Sequence, residues 1–228
     1  MADFGADARG GLWFQGDGTR PWIDIAADIA EAPVPVAKGF WIHDKMSEAT
    51  VDWLNRALVG GKVRDGHALV SGDLDDWPFV HNDGRFEATA RIDGGQFKFQ
   101  PDWPAMDHVD ARIAFIGNGF SIEGRGALAG VKVEAFKAAI PDFGKAELTV
   151  SARGGSDAAQ MLAMLRQSPL RQQYGDTLSS LTASGPARTS YDMLLPLHAE
   201  DAAAGKTKGT VELSGVKLAD KRWNLAFD

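Results

Sequence analysis

The sequence predicts a mainly β protein, a long curved antiparallel meander with two short helices, on three observations. Apolar and polar residues alternate at period two through most of the 228 residues. Glycine, asparagine and aspartate recur between the alternating runs, as short antiparallel connections require. Only two stretches carry a helical period.

Taken in chain order, "PWIDIAADIAEA" sets Ile23, Ile25, Ala27 and Ile29 against Asp24 and Asp28. The first helical stretch is "SEATVDWLNRALVGG". Ser47 serves there as N-cap, Val51, Leu54 and Leu58 form the stripe, and Gly60-Gly61 supply the C-terminal stop. In "GRFEATARIDGGQFKFQPDWP", residues 84–104, Phe86, Ala88, Ala90 and Ile92 share one strand face. Asp93-Gly94-Gly95 reads as a turn, after which Phe97 and Phe99 resume that face in a second strand. "HVDARIAFIG" places Val109, Ala111, Ile113 and Phe115 opposite Asp110 and Arg112, and Asn118-Gly119 turns the chain into a strand carrying Phe120 and Ile122.

Val131 and Val133 follow the same rule in "GVKVEAFKAAIP", as do Leu148 and Val150 in "KAELTVSARGG". The second helix is "GSDAAQMLAMLRQSP": Ser156 caps it, Asp157 suits its dipole, Met161, Leu162 and Leu165 form the stripe, and Pro169 ends it. "TSYDMLLPLHAE", "KGTVELSGVKLA" and "RWNLAFD" complete ten or eleven strands.

What the apolar face packs against follows from a magnitude. Ten strands at about 4.8 Å make a sheet roughly 50 Å across, whereas a helix is only about 10 Å wide. Two three-turn helices do not cover such a face. It must close on itself as a β-sandwich or barrel, or curve into a trough filled by something apolar.

Composition narrows the function classes. The chain is 44% hydrophobic and 24% charged, with formal net charge −7 from 24 basic and 31 acidic residues. No Lys/Arg stripe matches a phosphate backbone, which argues against nucleic acid. There is no cysteine, so thiolate metal sites and disulfides are excluded. No stretch reaches the roughly 18 apolar residues of a membrane span, and "MADFGADARGG" lacks the features of a signal peptide. The abrupt start and the final "RWNLAFD" lead to the expectation of one segment, residues 1–228, excised from a longer protein.

Candidate chemistry is sparse. Asp73, Asp75 and Asp76 lack the glycine and distant glutamate of a calcium loop and read as a solvated turn. His43, His67, His81, His108 and His198 have no zinc spacing, Ser184 lies in no nucleophile elbow, and no phosphate-binding loop occurs. Neither an enzyme nor a cofactor is expected. Met161, Met164 and Leu165 read as core, or as an adaptable lid over a trough. Seven tryptophans raise a carbohydrate-binding sandwich as an alternative, although Trp13, Trp53, Trp77 and Trp103 sit beside Pro, Gly or helix apolar positions, as packing residues do.

Several landmarks occur in order: "WLNRALVGGKVRDGHALVSGDLDDWPF", the 84–104 stretch, "IPDFGKAELTV", "LRQSPL", and "LLPLHAE" followed by "KGTVELSG". With these the chain, from about Phe40 onward, resembles the YhdP branch of the AsmA-like proteins. The resemblance implies a segment of a repeating β-groove that crosses the periplasm of a Gram-negative bacterium. The full-length protein would be anchored in the inner membrane and would carry phospholipid toward the outer membrane. It implies no catalytic residues. Trp77-Pro78, Trp103-Pro104 and Ser168–Leu170 carry over only as structural corners.

The expected groove is then the alternating face itself: Phe86, Ala88, Ala90, Ile92, Phe97 and Phe99, continued by Ile113, Phe115, Phe120 and Ile122, and by Val131, Val133, Leu148 and Val150. Expected partners are phospholipids and neighbouring groove repeats of the same chain, with membrane contact only through other parts of the full-length protein. A non-catalytic interaction module that pairs through its sheet edges is the alternative.

Overall fold

The structure, a computed structural model, describes residues 5–40, 48–81, 83–198 and 204–227. Its strands are β1 (Ala6–Trp13), β2 (Trp22–Pro33), β3 (Leu58–Asp73), β4 (Gly84–Phe97), β5 (Met106–Ile116), β6 (Gly119–Leu128), β7 (Val131–Ile140) and β8 (Glu147–Asp157). These are followed by β9 (Leu181–Ser184), β10 (Pro186–Pro196), β11 (Lys206–Leu213), β12 (Lys217–Asp220) and β13 (Leu225–Phe227). A 3-10 helix spans Val34–Phe40, and the α-helices are α1 (Glu48–Ala57), α2 (Ala158–Arg166) and α3 (Leu170–Ser180).

Period-two alternation pairs neighbouring strands antiparallel, across short turns except where helices intervene between β2 and β3 and between β8 and β10, giving a ten-stranded sheet in the order β1-β2-β3-β4-β5-β6-β7-β8-β10-β11. The sheet is open and not closed into a barrel. Its order runs through ten neighbours without folding back, so the sandwich alternative gives way to an open sheet.

The helices α1 and α2 adjoin the same end of this sheet, at β3 and at β8. α1 runs directly into the start of β3, and α2 follows directly from the end of β8. Register puts the start of β3 opposite the end of β4, at Leu58 and Phe97. The other end of the sheet is made of turns. In one of them Trp77 packs edge-on against Phe79 and Phe86, with ring centroids 5.4 and 5.0 Å apart. Phe79 is buried over the register pair Gly72 and Gly84, where a Cβ at Gly84 would run into its ring.

A corner joins the large sheet to a small one of order β13-β12-β9. β9–β10 and β11–β12 behave as one long hairpin bent where Gly185 (φ +111°) meets Gly215 (φ +61°). A Cβ on Gly185 would stand 2.9 Å from the Gly215 carbonyl oxygen, so glycine is required at that bend. Asp157 locks the corner: its carboxylate accepts from Ala159 N at 2.8 Å, as the α2 N-cap, and from Gly185 N at 2.8 Å.

Several expectations are corrected. Asp93-Gly94-Gly95 is not a hairpin turn, because β4 runs unbroken through it and pairs with β3 and β5 on either side. The glycines make a bulge, with register shifts against β5 between Ile92 and Gly95 and between Gly95 and Phe97. Gly60-Gly61 do not stop α1. The helix ends at Ala57, Leu58 of the expected stripe opens β3, and Gly61 (φ +107°) occupies another bulge, beside Gly95. In both places the positive φ was legible, but flanking strands keep the ladder going.

The α2 cap is Asp157 rather than Ser156, which belongs to β8. α2 ends before Pro169, and α3, a third helix, starts just after it with a kink at Tyr174. The β5–β6 turn is Gly117-Asn118, where Gly117 supplies the positive φ of +54°. Ser47 and His43 lie outside the described residues.

Candidate functional site

Direct register pairs share a face of the sheet, so the ladders define rows that cross it at right angles to the strands. One row joins Ala90, Ile113, Ile122, Ala138, Val150 and Met193 over six strands. The row nearer the turns joins Ala8, Ala27, Ala68, Ala88, Phe115, Phe120 and Ile140. The row nearer the helices joins Val63, Ile92, Ala111, Gly124, Phe136 and Ala152.

The opposite face is wet. Its row reads Glu31, Arg64, Arg91, Arg112, Glu123, Lys137, Ser151, Asp192 and Lys208. Ion pairs lace it: Arg64 meets Glu31 at 3.3 Å and Asp93 at 2.7 Å, Lys62 meets Glu31 at 2.6 Å, and Arg91 meets Asp65 at 3.3 Å. Asp110 accepts from Gly94 N and from Arg125, both at 3.2 Å. The Gly94 N–H first, then the Arg125 guanidinium, hold its carboxyl below the usual carboxylate range. The hydrogen bond from Lys62 lowers Glu31 in the same way.

Of the sequence-predicted residues, Phe86, Ala88, Ala90, Ile92, Phe97, Ile113, Phe115, Phe120, Ile122, Leu148 and Val150 fall on the apolar face through their register pairs. Val131 and Val133 join it because they pair with Leu128 and Gly126. Phe99 has no register pair. It lies in the connection after β4, its ring 6.1 Å from that of Trp103. Unpredicted members include Phe136 and Ala138, which a strict count from Val133 sends to the polar face. A bulge between Val133 and Ala135 flips the phase of β7. The signal was present in the sequence as two apolar runs of opposite parity, 131/133 and 136/138/140.

Burial along the apolar face is uneven. Ile92, Val109, Ala111 and Ile122 are buried and cluster with Leu58 of β3 and with Val34 of the 3-10 helix, which is 2% exposed. Ala88, Ala90, Ile113, Phe115 and Phe120, toward the turns, are only partly buried. A second cluster gathers Val131, Ala158, Met161, Ala187 and Val216, with Met164 packed against it. Met161 of the α2 stripe is therefore core, whereas Leu162 and Leu165 are only partly buried. Among the described residues no group of three or more His, Asp or Glu stands ready to hold a metal ion, and no helix is long and apolar enough to cross a membrane.

Comparison with known proteins accords with this geometry. No solved structure matches the chain. The chain is 30% identical over 213 residues to the intermembrane phospholipid transporter YhdP of Escherichia coli (strain K12). That alignment covers 92% of the chain but 17% of the relative, so the chain spans about a sixth of that protein's length. The family profile described as YhdP protein matches residues 3–228, well before Phe40, where the sequence landmarks begin. With both alignments spanning nearly its whole length, the chain belongs to the YhdP protein family.

Proposed function

We propose that the chain is a periplasmic segment of a phospholipid conduit, in which the apolar face forms the wall of a β-groove and carries acyl chains while headgroups stay in water. The observation that carries this reading is the unbroken apolar row from Ala90 to Met193, lying on an open sheet and only partly buried at Ile113. A hydrocarbon chain laid along that row removes apolar surface from water at about 25 cal/mol per Å². The E. coli relative's description as an intermembrane phospholipid transporter supports the cargo. No catalytic step is needed: transfer along such a wall exchanges one apolar contact for the next. The remaining groove would come from neighbouring repeats joined at the edges of β1 and β11, with the inner-membrane anchor elsewhere in the full-length protein.

The test is face-specific photo-crosslinking. A crosslinker at Ile113 or Phe115 captures phospholipid, and one at Arg112 or at its register partner Glu123, on the opposite face, does not. Equal capture on both faces would sink the reading. A second reading, a non-catalytic interaction module, is favoured by the unpaired edge strands β1 and β11, whose residues are almost all exposed. Native mass spectrometry separates the two: co-purifying phospholipid supports the conduit, and lipid-free oligomers support the module.

A further inference from the structure

Two tryptophans stand on the wet face, near its turn end. Register pairs Trp13 of β1 with Trp22 of β2 and Trp22 with Asp73 of β3, so the three share that face. Two residues along each strand, Gly11, Asp24, Ser71 and Arg85 form its next row. Trp13 is 56% exposed and Trp22 43%. Trp77 and Trp103 lie against phenylalanine rings, and Trp53 donates its Nε1–H to the Phe99 carbonyl oxygen at 2.9 Å. Among the described residues, Trp13 and Trp22 have neither a ring contact nor an Nε1 hydrogen bond, so the packing role expected of Trp13 is not the one it plays.

The hairpin holds these rings in place. The Trp13 indole folds back over Gly11, with Cη2, Cζ2 and Cζ3 at 3.1, 3.2 and 3.5 Å from where a Cβ would stand. Near-equal distances to three ring atoms turn one face of the indole to the strand and leave the other to solvent. The loop between the two tryptophans is fastened to the turn after β3: Leu74 N donates to Pro21 O at 3.3 Å, Gln15 Nε2 to Asp73 Oδ2 at 3.3 Å, and Arg20 N to Asp75 Oδ2 at 3.1 Å. Beside the rings, the exposed Asp24 carboxylate and the half-buried Ser71 hydroxyl have no partner among the described residues.

We propose that Trp13 and Trp22 form a stacking platform for the pyranose rings of a glycan, with Asp24 and Ser71 hydrogen-bonding its hydroxyls. A sugar ring presents an apolar C–H face edged by hydroxyls, which matches flat indoles edged by polar side chains. Fastened loops keep the rings positioned before the ligand arrives, which lowers the ordering cost of binding. Charge disfavours the other occupants of an exposed indole pair. In these two rows and the fastened loops, Asp17, Asp24, Asp73, Asp75 and Asp76 outnumber Arg20 and Arg85, so the phosphates of a nucleic acid or an anionic bilayer are repelled. The apolar face lies on the other side of the sheet, and the proposal stands apart from the conduit reading.

The test is residue-resolved oxidation of the full chain. N-bromosuccinimide is applied briefly, alone and with millimolar cellohexaose, chitohexaose or maltohexaose, and oxidised tryptophans are read by mass spectrometry. Expected is slower oxidation of Trp13 and Trp22 with at least one saccharide, beside unchanged oxidation of Trp223, which is 71% exposed. Calorimetric titration with that saccharide should weaken about tenfold in Trp13→Ala, through loss of one stacked ring. Asp24→Ala should weaken it several-fold, and Trp223→Ala should leave it unchanged. Protection by none of the saccharides, or equal protection at Trp223, overturns the platform. Vesicles of phosphatidylethanolamine and phosphatidylglycerol that shield Trp13 and Trp22 where no saccharide does overturn it too, and assign the rings to a membrane surface. Should Trp13→Ala fail to fold, oxidation of the unaltered chain still decides.

Discussion

Gly61 shows how much one backbone angle carries. With φ at +107°, a Cβ there would stand 2.6 Å from the Gly95 Cα of the neighbouring strand, a contact that only backbone movement relieves. Gly61→Ala is expected to destabilise by about 1–3 kcal/mol. Gly60 meets nothing within 4 Å, so Gly60→Ala is expected to stay within about 0.5 kcal/mol. Chemical denaturation of the two variants side by side checks the contrast, and equal losses would remove the bulge assignment. Asp220 offers a test by pH. Hydrogen bonds from Arg222, chiefly Nη2 at 2.7 Å, pull its carboxyl from 3.8 to about 2. A carboxyl depressed in the fold stabilises above its unfolded value, and that contribution fades as pH falls from about 4 toward 2. Thermal melts of the native chain and Asp220→Asn should differ at neutral pH and converge in that acid window.

At the level of elements, the corner at Gly185 depends on Asp157, which holds both the α2 N-terminus and the start of β10. Gly185 N–H and then Ala159 N–H keep its carboxyl below 3.8, so the clamp is fully present at neutral pH and lost only below about 4. Asp157→Ala should lower the melting temperature and speed hydrogen exchange at Ala159 and Gly185. Asp157→Ser, which keeps a cap acceptor but only one oxygen, should recover the α2 part alone. Unchanged exchange at Gly185 in Asp157→Ala would show that the clamp does not hold the corner. Existence and type of most elements were legible because alternation and turn residues agree over β2, β4, β5, β6 and β8. α3 was not: "LRQQYGDTLSS" carries a glycine, a kink at Tyr174 and only two buried residues, Leu178 and Ser180, so no apolar stripe announces it.

For the molecule as a whole, the open edges β1 and β11 and the exposed Leu12, Trp13, Phe14, Trp223 and Phe227 set the expected solution behaviour. The isolated chain should associate with rising concentration in sedimentation velocity and bind a dye for apolar surface, and a strict monomer that binds no dye would count against the open face. Ile113→Asp should keep the fold, since the site is only partly buried, and lose captured lipid, because a carboxylate would stand where hydrocarbon lies. The sequence by itself determined which side chains are apolar together: a period of two is a property of the strand backbone, and it carried Phe86 through Ile92 and Leu148 with Val150 onto one face without knowledge of any neighbour. Only the tertiary structure decided where that phase breaks, at the bulges beside Gly61, Gly95, His108 and Glu134, because a bulge is a mismatch between two strands and neither strand's pattern contains its partner's register. It also decided that the sheet stays open and that Val34 joins the buried cluster with Leu58, Ile92 and Val109, since covering a face is a matter of which distant segment reaches it, and nothing in the local alternation of either segment encodes that meeting.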